Sequence, residues 1–214
     1  MIRKMLNKLI KSKPTATAQK FNLIVAGYGG QGVITLTELI CQLAIARGLQ
    51  VKEAELHGLA QRGGSVQAHI RFGQNIFSPK VARADADLII ALDLLEAART
   101  CWWASPTKTN ILTDSQLYWP YDSQISGDQI ISEVQPFAKK LELVDAAKTA
   151  QKISGNPVAA NTYLLAAAVV FGFLPFAKNE VWKTISENLN PAYLADNQKV
   201  FEAAGNLGRQ KGRG

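Results

Sequence analysis

Two short segments hold the residues best suited to binding or catalysis. The first is Gly27-Tyr28-Gly29-Gly30-Gln31-Gly32, with the spacing G-x-G-x-x-G. Placed after a strand and at a helix start, such a turn brings backbone N–H groups to an anion at the positive end of the helix. Glu53 and Glu55 stand about twenty residues on, where a dinucleotide-binding domain keeps the acid that meets a ribose hydroxyl. In physical terms the turn suits any phosphate, carboxylate or carbonyl. A tight turn that binds nothing would have the same spacing.

The second segment is Glu55-Leu56-His57-Gly58-Leu59-Ala60-Gln61-Arg62-Gly63-Gly64-Ser65. It gathers a carboxylate, an imidazole, an amide and a guanidinium among glycines, a density that favours binding over packing. Arg62 can grip a carboxylate or phosphate through two parallel hydrogen bonds, or pair with Glu55. His57 can move a proton or anchor the loop. In a dinucleotide-binding domain a helix would follow here, but Val66–Phe72 alternates like a strand, with His69 and Arg71 on its polar side. His69 is expected to be structural. Cys41 reads as a core residue. Cys101, beside Trp102 and Trp103, is either part of an exposed aromatic anchor or a helix end packed on the core. No serine or cysteine nucleophile stands beside a base.

The elements that must position these loops follow from periodicity. Phe21–Ala26 is a short apolar run read as a buried strand. Leu36, Leu39, Ile40, Leu43 and Ala44 share one face of a helix over Val33–Arg47, which stops at Gly48. Gln50–Glu55 is the second strand, so the first unit is a βαβ crossover. Val66–Phe72 is expected to be half-exposed, antiparallel or near an edge. Asp87–Leu92, Thr109–Thr113 and Leu141–Val144 are further strands, with a helix near Leu94–Arg99 and a loop over Tyr118–Gln129. After residue 145 the pattern is helical, at about 145–153, 158–173, 179–188 and 193–204. The expected fold is a three-layer α/β/α, Rossmann-like domain with a mixed, mostly parallel sheet and a helical C-terminal third.

Composition removes several classes. At 214 residues and 47% hydrophobic, the chain is not generally disordered. Its most apolar stretch, Val158–Leu174, contains Asn161 and Thr162, so it reads as a core helix and no spanning segment is expected. The net charge of +7 belongs to the ends. Residues 1–20 carry +6, residues 209–214 carry +3, and residues 21–208 carry −2, which argues against a nucleic-acid groove on the fold. Two cysteines and two histidines are too few for a tetrahedral zinc site or an iron–sulfur cluster. An intracellular chain holding no metal of its own is expected. Ile2, Met5, Leu6, Leu9 and Ile10 recur at helical spacing among lysines. Residues 1–20 thus form a basic leader, amphipathic or loosely ordered, residues 21–205 the domain and residues 206–214 a basic tail.

The strings GYGGQGV at 27–33, AELHGLAQRGGSVQAHIRFG at 54–73 and SPKVARADADLIIALDLLEAAR at 78–99 together resemble the gamma subunit or domain of 2-oxoacid:ferredoxin oxidoreductases. The HGLAQRGGSV form is similar to the beta subunit of the indolepyruvate-specific branch. GNPVAANTYLLAAAVVFG at 155–172 and the helix around Asn197–Gly205 share this character, so the resemblance covers roughly residues 21–205. It implies a subunit, inactive alone, of a cytoplasmic heteromer that oxidatively decarboxylates a 2-oxoacid to an acyl-coenzyme A and passes electrons to ferredoxin. Thiamine diphosphate, Mg and 4Fe-4S clusters are then expected on a larger partner subunit, with coenzyme A as co-substrate and nothing bound by this chain alone. The loops near substrate or coenzyme A would be Gly27, Gly29, Gly30, Gln31 and Gly32 with Glu55, His57, Gln61, Arg62, Gly63 and Gly64. No proton-transfer residue is assigned. A stand-alone Rossmann-like protein binding NAD or FAD is the alternative reading, and an adaptor acting on DNA through its basic ends is a further one.

Overall fold

Six strands of the computed structural model form one sheet in the order β2-β3-β1-β4-β5-β6. The structure describes residues 20–58, 63–118 and 125–207. Residues 1–19 of the leader, Gln61 with Arg62, and the end of the basic tail lie outside the described residues. The strands are β1 Phe21–Tyr28, β2 Gln50–His57, β3 Ser65–Gly73, β4 Leu88–Ala91, β5 Asn110–Asp114 and β6 Lys140–Val144. The helices are α1 Val33–Ala46, α2 Leu94–Arg99, α3 Gly127–Val134, α4 Ala146–Ser154, α5 Ala160–Val170, α6 Lys178–Asn188 and α7 Leu194–Gly205.

Side-chain alternation explains the layers. Leu23 and Val25 of β1, Leu88 and Ile90 of β4 and Leu112 of β5 meet α1 and the C-terminal helices on one face. Ile24, Ile89 and Ile111, one position out of step, meet α2 and α3 on the other. Successive strand residues point to opposite faces. Strands covered on both sides are therefore apolar through their centres, Leu23–Ala26 in β1, Leu88–Ala91 in β4 and Ile111–Leu112 in β5. The run Val158–Leu174 becomes α5, whose residues Ala160–Ala168 are all buried. This is the expected three-layer fold with a helical C-terminal third.

β3 is antiparallel, as one of its two expected placements has it, and it is not an edge strand. β3 is antiparallel to both β1 and β2, while β1, β4, β5 and β6 pair in parallel. It lies inside the sheet, between the two strands of the βαβ unit. Its polar side is half-exposed at Gln67 and Arg71, as expected, but covered at His69: His69 is 2% exposed, its Nδ1 accepts the Val81 N–H at 3.1 Å, and its ring meets Trp103 edge-on. Arg71 donates to Asn22 Oδ1 and the Ser78 carbonyl. The edge is β2, mostly exposed, where Lys52, Glu53 and Glu55 discourage pairing with another chain.

The segment read as a loop over Tyr118–Gln129 ends instead in a helix starting at Gly127. Ser126 Oγ accepts the Gln129 N–H, and Gln129 Oε1 accepts the Ser126 N–H at 2.8 Å. This capping box offsets the weak local propensity, by about 1 kcal/mol. Ile130 and Val134 are the buried anchors.

Candidate functional site

The glycine turn sits at the C-terminal end of β1. The Gln31 N–H donates to the Tyr28 carbonyl at 3.0 Å and closes it. Gln31 then folds its side chain back: Oε1 accepts the Tyr28 N–H at 2.7 Å and Nε2 donates to the Leu92 carbonyl at 3.3 Å. Its amide is thus an internal strut between β1 and the end of β4. Gly27 leaves room for that strut, since a Cβ there would lie 2.9 Å from both Gln31 Oε1 and Val33 Cγ2. Gly32 caps α1 in the left-handed region at φ 84°, a conformation costly to residues with a Cβ. Its carbonyl accepts the Leu36 N–H at 3.0 Å and the Asn161 side-chain amide at 3.1 Å.

The second segment reaches the same place. The Gly29 N–H donates to the Gly64 carbonyl at 2.9 Å, so the end of the β2–β3 loop lies against the turn. At its base, Ser65 Oγ donates to Glu96 Oε2 at 2.5 Å. Glu96 is fully buried, and Arg99 pairs with its other oxygen. Arg99 also lies 5.9 Å from the centre of the buried Tyr28 ring. Burial raises the Tyr28 phenol above its usual range, with the Arg99 charge opposing. His57 is exposed, its Nδ1 3.1 Å from the Gly58 carbonyl oxygen. Glu55 is exposed on β2.

Beside the turn is a crevice of about 210 Å³, at the C-terminal ends of β1, β4 and β5. Gly30, Gln31 and Leu92 form one wall, and Pro157, Val158 and Ala160 another. Asp114, Gln116, Tyr118 and Ala147 complete it. Of the sequence-nominated residues, Gly30 and Gln31 line the crevice. Gly63 and Gly64 lie at the neighbouring loop, and Glu55 and His57 stay outside.

Sequence reasoning missed Asp93, Asp114, Tyr118 and Asn161 as site residues. The signal was available for the acids, since Asp93 follows β4 and Asp114 ends β5 at the sheet edge where open α/β folds bind ligands. Asp93 Oδ1 accepts the Leu95 N–H at 2.8 Å and Oδ2 accepts the Tyr118 N–H. Asp114 accepts the Gln116 N–H at 3.1 Å and the Ala147 N–H at 2.7 Å. Burial raises both carboxyls above the usual range, and the backbone N–H groups hold them partway down. They are spent on fixing loops.

Those bonds bear on cofactors. Asp114 is the one carboxylate that lines the crevice among the described residues, and it is engaged by the Gln116 and Ala147 N–H groups, so this lining is a poor match to a magnesium-bound diphosphate, which needs several oxygen ligands. Cys41 packs on one face of the sheet and Cys101 on the other, so they do not fit an iron–sulfur cluster. Among the described residues no group of three or more His, Cys, Asp or Glu could hold a metal ion, and no helix is long and apolar enough to cross a membrane. The described arrangement offers backbone donors, an apolar crevice and rigid loop supports.

Comparison with known proteins gives a consistent set. A family model described as pyruvate ferredoxin/flavodoxin oxidoreductase matches residues 22–207. The indolepyruvate oxidoreductase subunit IorB of Archaeoglobus fulgidus is 32% identical over 192 residues, 86% of this chain and 92% of that protein. The common gamma subunit of pyruvate/ketoisovalerate oxidoreductases from Thermococcus kodakarensis is 26% identical, covering 84% and 92%. Among solved structures, the gamma subunit of a keto/oxoacid ferredoxin oxidoreductase from Geobacter sulfurreducens has the same fold. Its TM-score is 0.65 at 20% identity, over 89% of this chain and 99% of that one. A 2-oxoglutarate:ferredoxin oxidoreductase from Magnetococcus marinus also matches in fold, with TM-score 0.66 at 16% identity; 89% of this chain corresponds to 31% of that one. None of these relatives supports the stand-alone NAD or FAD reading.

Proposed function

The chain belongs to the pyruvate ferredoxin/flavodoxin oxidoreductase family, and from that premise we propose that it is a subunit without a redox centre in a cytoplasmic indolepyruvate or arylpyruvate:ferredoxin oxidoreductase. The complex decarboxylates the 2-oxoacid oxidatively, forms the acyl-coenzyme A and passes electrons to ferredoxin. Thiamine diphosphate, Mg and the 4Fe-4S clusters reside on a larger partner subunit and supply the decarboxylation and electron-transfer chemistry there. This chain is inactive alone. Residues 21–205 are its gamma-type unit.

The observation that carries the reading is the extent of the match to IorB, 92% of that protein. The chain's own contribution is to bind and orient. Gly27, Gly29, Gly30, Gln31 and Gly32 shape the turn and set its backbone toward the substrate or coenzyme A. Gly63 and Gly64 bring the β2–β3 loop to that turn, with Glu55, His57, Gln61 and Arg62 close in sequence. Arg62 clamps a carboxylate or phosphate, and the apolar crevice excludes water.

Co-expression with the thiamine-binding partner tests this. The purified complex should reduce ferredoxin with indolepyruvate and coenzyme A, and the isolated chain should not. Full activity of the isolated chain, or a complex that oxidises pyruvate and ignores arylpyruvates, would overturn it. Calorimetry of the chain with NAD(H) and FAD should be silent.

A further inference from the structure

We propose that Asn161 is a positioning residue for the glycine turn, holding it from behind through the Gly32 carbonyl. Three observations meet at this contact. Asn161 Nδ2 donates to Gly32 O at 3.1 Å. A Cβ on Gly32 would lie 2.2 Å from that same nitrogen, so the approach requires glycine on one side and tolerates no bulk on the other. Asn161 is 4% exposed, and its Oδ1 finds no hydrogen-bond partner among the described residues. A buried unpaired amide oxygen is a cost. Packing alone would favour leucine in a helix as buried as α5, so the donor is what the site gains.

The contact matters because of what it joins. α1 begins at Gly32 with no side-chain cap of its own. Gly30 and Gln31 form one wall of the crevice, and Val158 and Ala160, beside Asn161 in sequence, form another. The bond from Asn161 to Gly32 therefore fixes the turn relative to the facing wall, and with it the direction of the turn's backbone donors. This role rests on the reading that the turn serves the 2-oxoacid site.

Hydrogen exchange on the full chain tests the contact without any turnover. In Asn161→Ala and Asn161→Leu, a peptide spanning Gly29–Leu36 should exchange at least about tenfold faster, while β4 and β5 keep their protection. Unchanged protection of the turn overturns the assignment. Equal loosening everywhere also overturns it, since that marks a packing residue. Gly32→Ala supplies an independent variant. Its Cβ collides with Asn161 in the parent but not in Asn161→Ala, so the loss of Tm caused by Gly32→Ala should fall by about half or more in that background. Equal losses in the two backgrounds overturn the contact. In the co-expressed complex, Asn161→Ala should raise KM for the 2-oxoacid or coenzyme A about fivefold or more and leave kcat within about twofold. A lowered kcat at unchanged KM overturns the positioning role. An inactive parent complex would sink the proposed function and leave the exchange result standing.

Discussion

The backbone N–H of Gly29 donates to the carbonyl of Gly64 at 2.9 Å. A helix, an edge strand and a loop separate the two in sequence, yet they form one surface at the sheet's C-terminal edge. Both partners are main-chain atoms, so the joint survives any side-chain change that leaves the backbone in place. What it cannot survive is a shift of the β1–α1 turn, whose supports are Gly27, Gln31 and Asn161.

Gly27→Ala should destabilise the protein by about 1–3 kcal/mol, because overpacking a filled site forces its neighbours off their minima. The new Cβ would meet Gln31, Val33 and Leu92 within 3.2 Å. Gly58→Ala is the control, with nothing among the described residues within 4 Å of its Cβ and an expected change within about 0.5 kcal/mol. Urea denaturation of both variants decides, and equal losses would refute the packing argument.

Gln31→Leu should cost about 1–3 kcal/mol, since it leaves the Tyr28 N–H and the Leu92 carbonyl without their partner. Gln31→Glu keeps the acceptor and loses the donor, so it should fall between Gln31→Leu and the parent. The same denaturation series checks this. A Gln31→Leu variant as stable as the parent would show that the strut carries nothing.

Stability should fall as the pH drops below about 6.5, the ordinary histidine value. Burial first, and the Lys80 charge second, hold the folded pKa of His69 below that value. The unfolded chain therefore binds the proton first, and stability is lost between the two pKa values, by at most about 1.4 kcal/mol per pH unit. Protonating Nδ1 also displaces the Val81 N–H. Denaturation midpoints at pH 7 and pH 5 should differ less in His69→Gln than in the parent. Parallel pH profiles would contradict this.

Cys41 and Cys101 should be unreactive in the folded protein. Burial pushes the Cys41 thiol up to about 12, with Glu53 and Glu38 adding to the shift. Burial alone takes Cys101 up to about 11. The thiolate is the reactive form, so alkylation at pH 8 should be at least about tenfold slower than in denaturant. Rapid labelling of either cysteine in the native state would disprove the assigned burial.

Much of the fold was written locally. The spans of β1, α1, β4, β5 and β6 follow from apolar runs and 3.6-residue periodicity, which depend on neighbours a few positions away. The turn at Gly27–Gly32 was legible for the same reason: a strand, glycines and a helix are consecutive. α3 was not, because only its capping box and two apolar positions mark it. Tertiary structure alone decided that β3 enters between β1 and β2, which buried His69 and left β2 at the edge. Pairing partners are chosen by long-range hydrogen bonding and by which faces the helices cover, neither encoded in a strand's own alternation. The same holds for Gln31 reaching Leu92 and Asn161 reaching Gly32. A polar side chain in the sequence shows what it can bond. Only the fold, by bringing a carbonyl within about 3 Å, decides what it does bond.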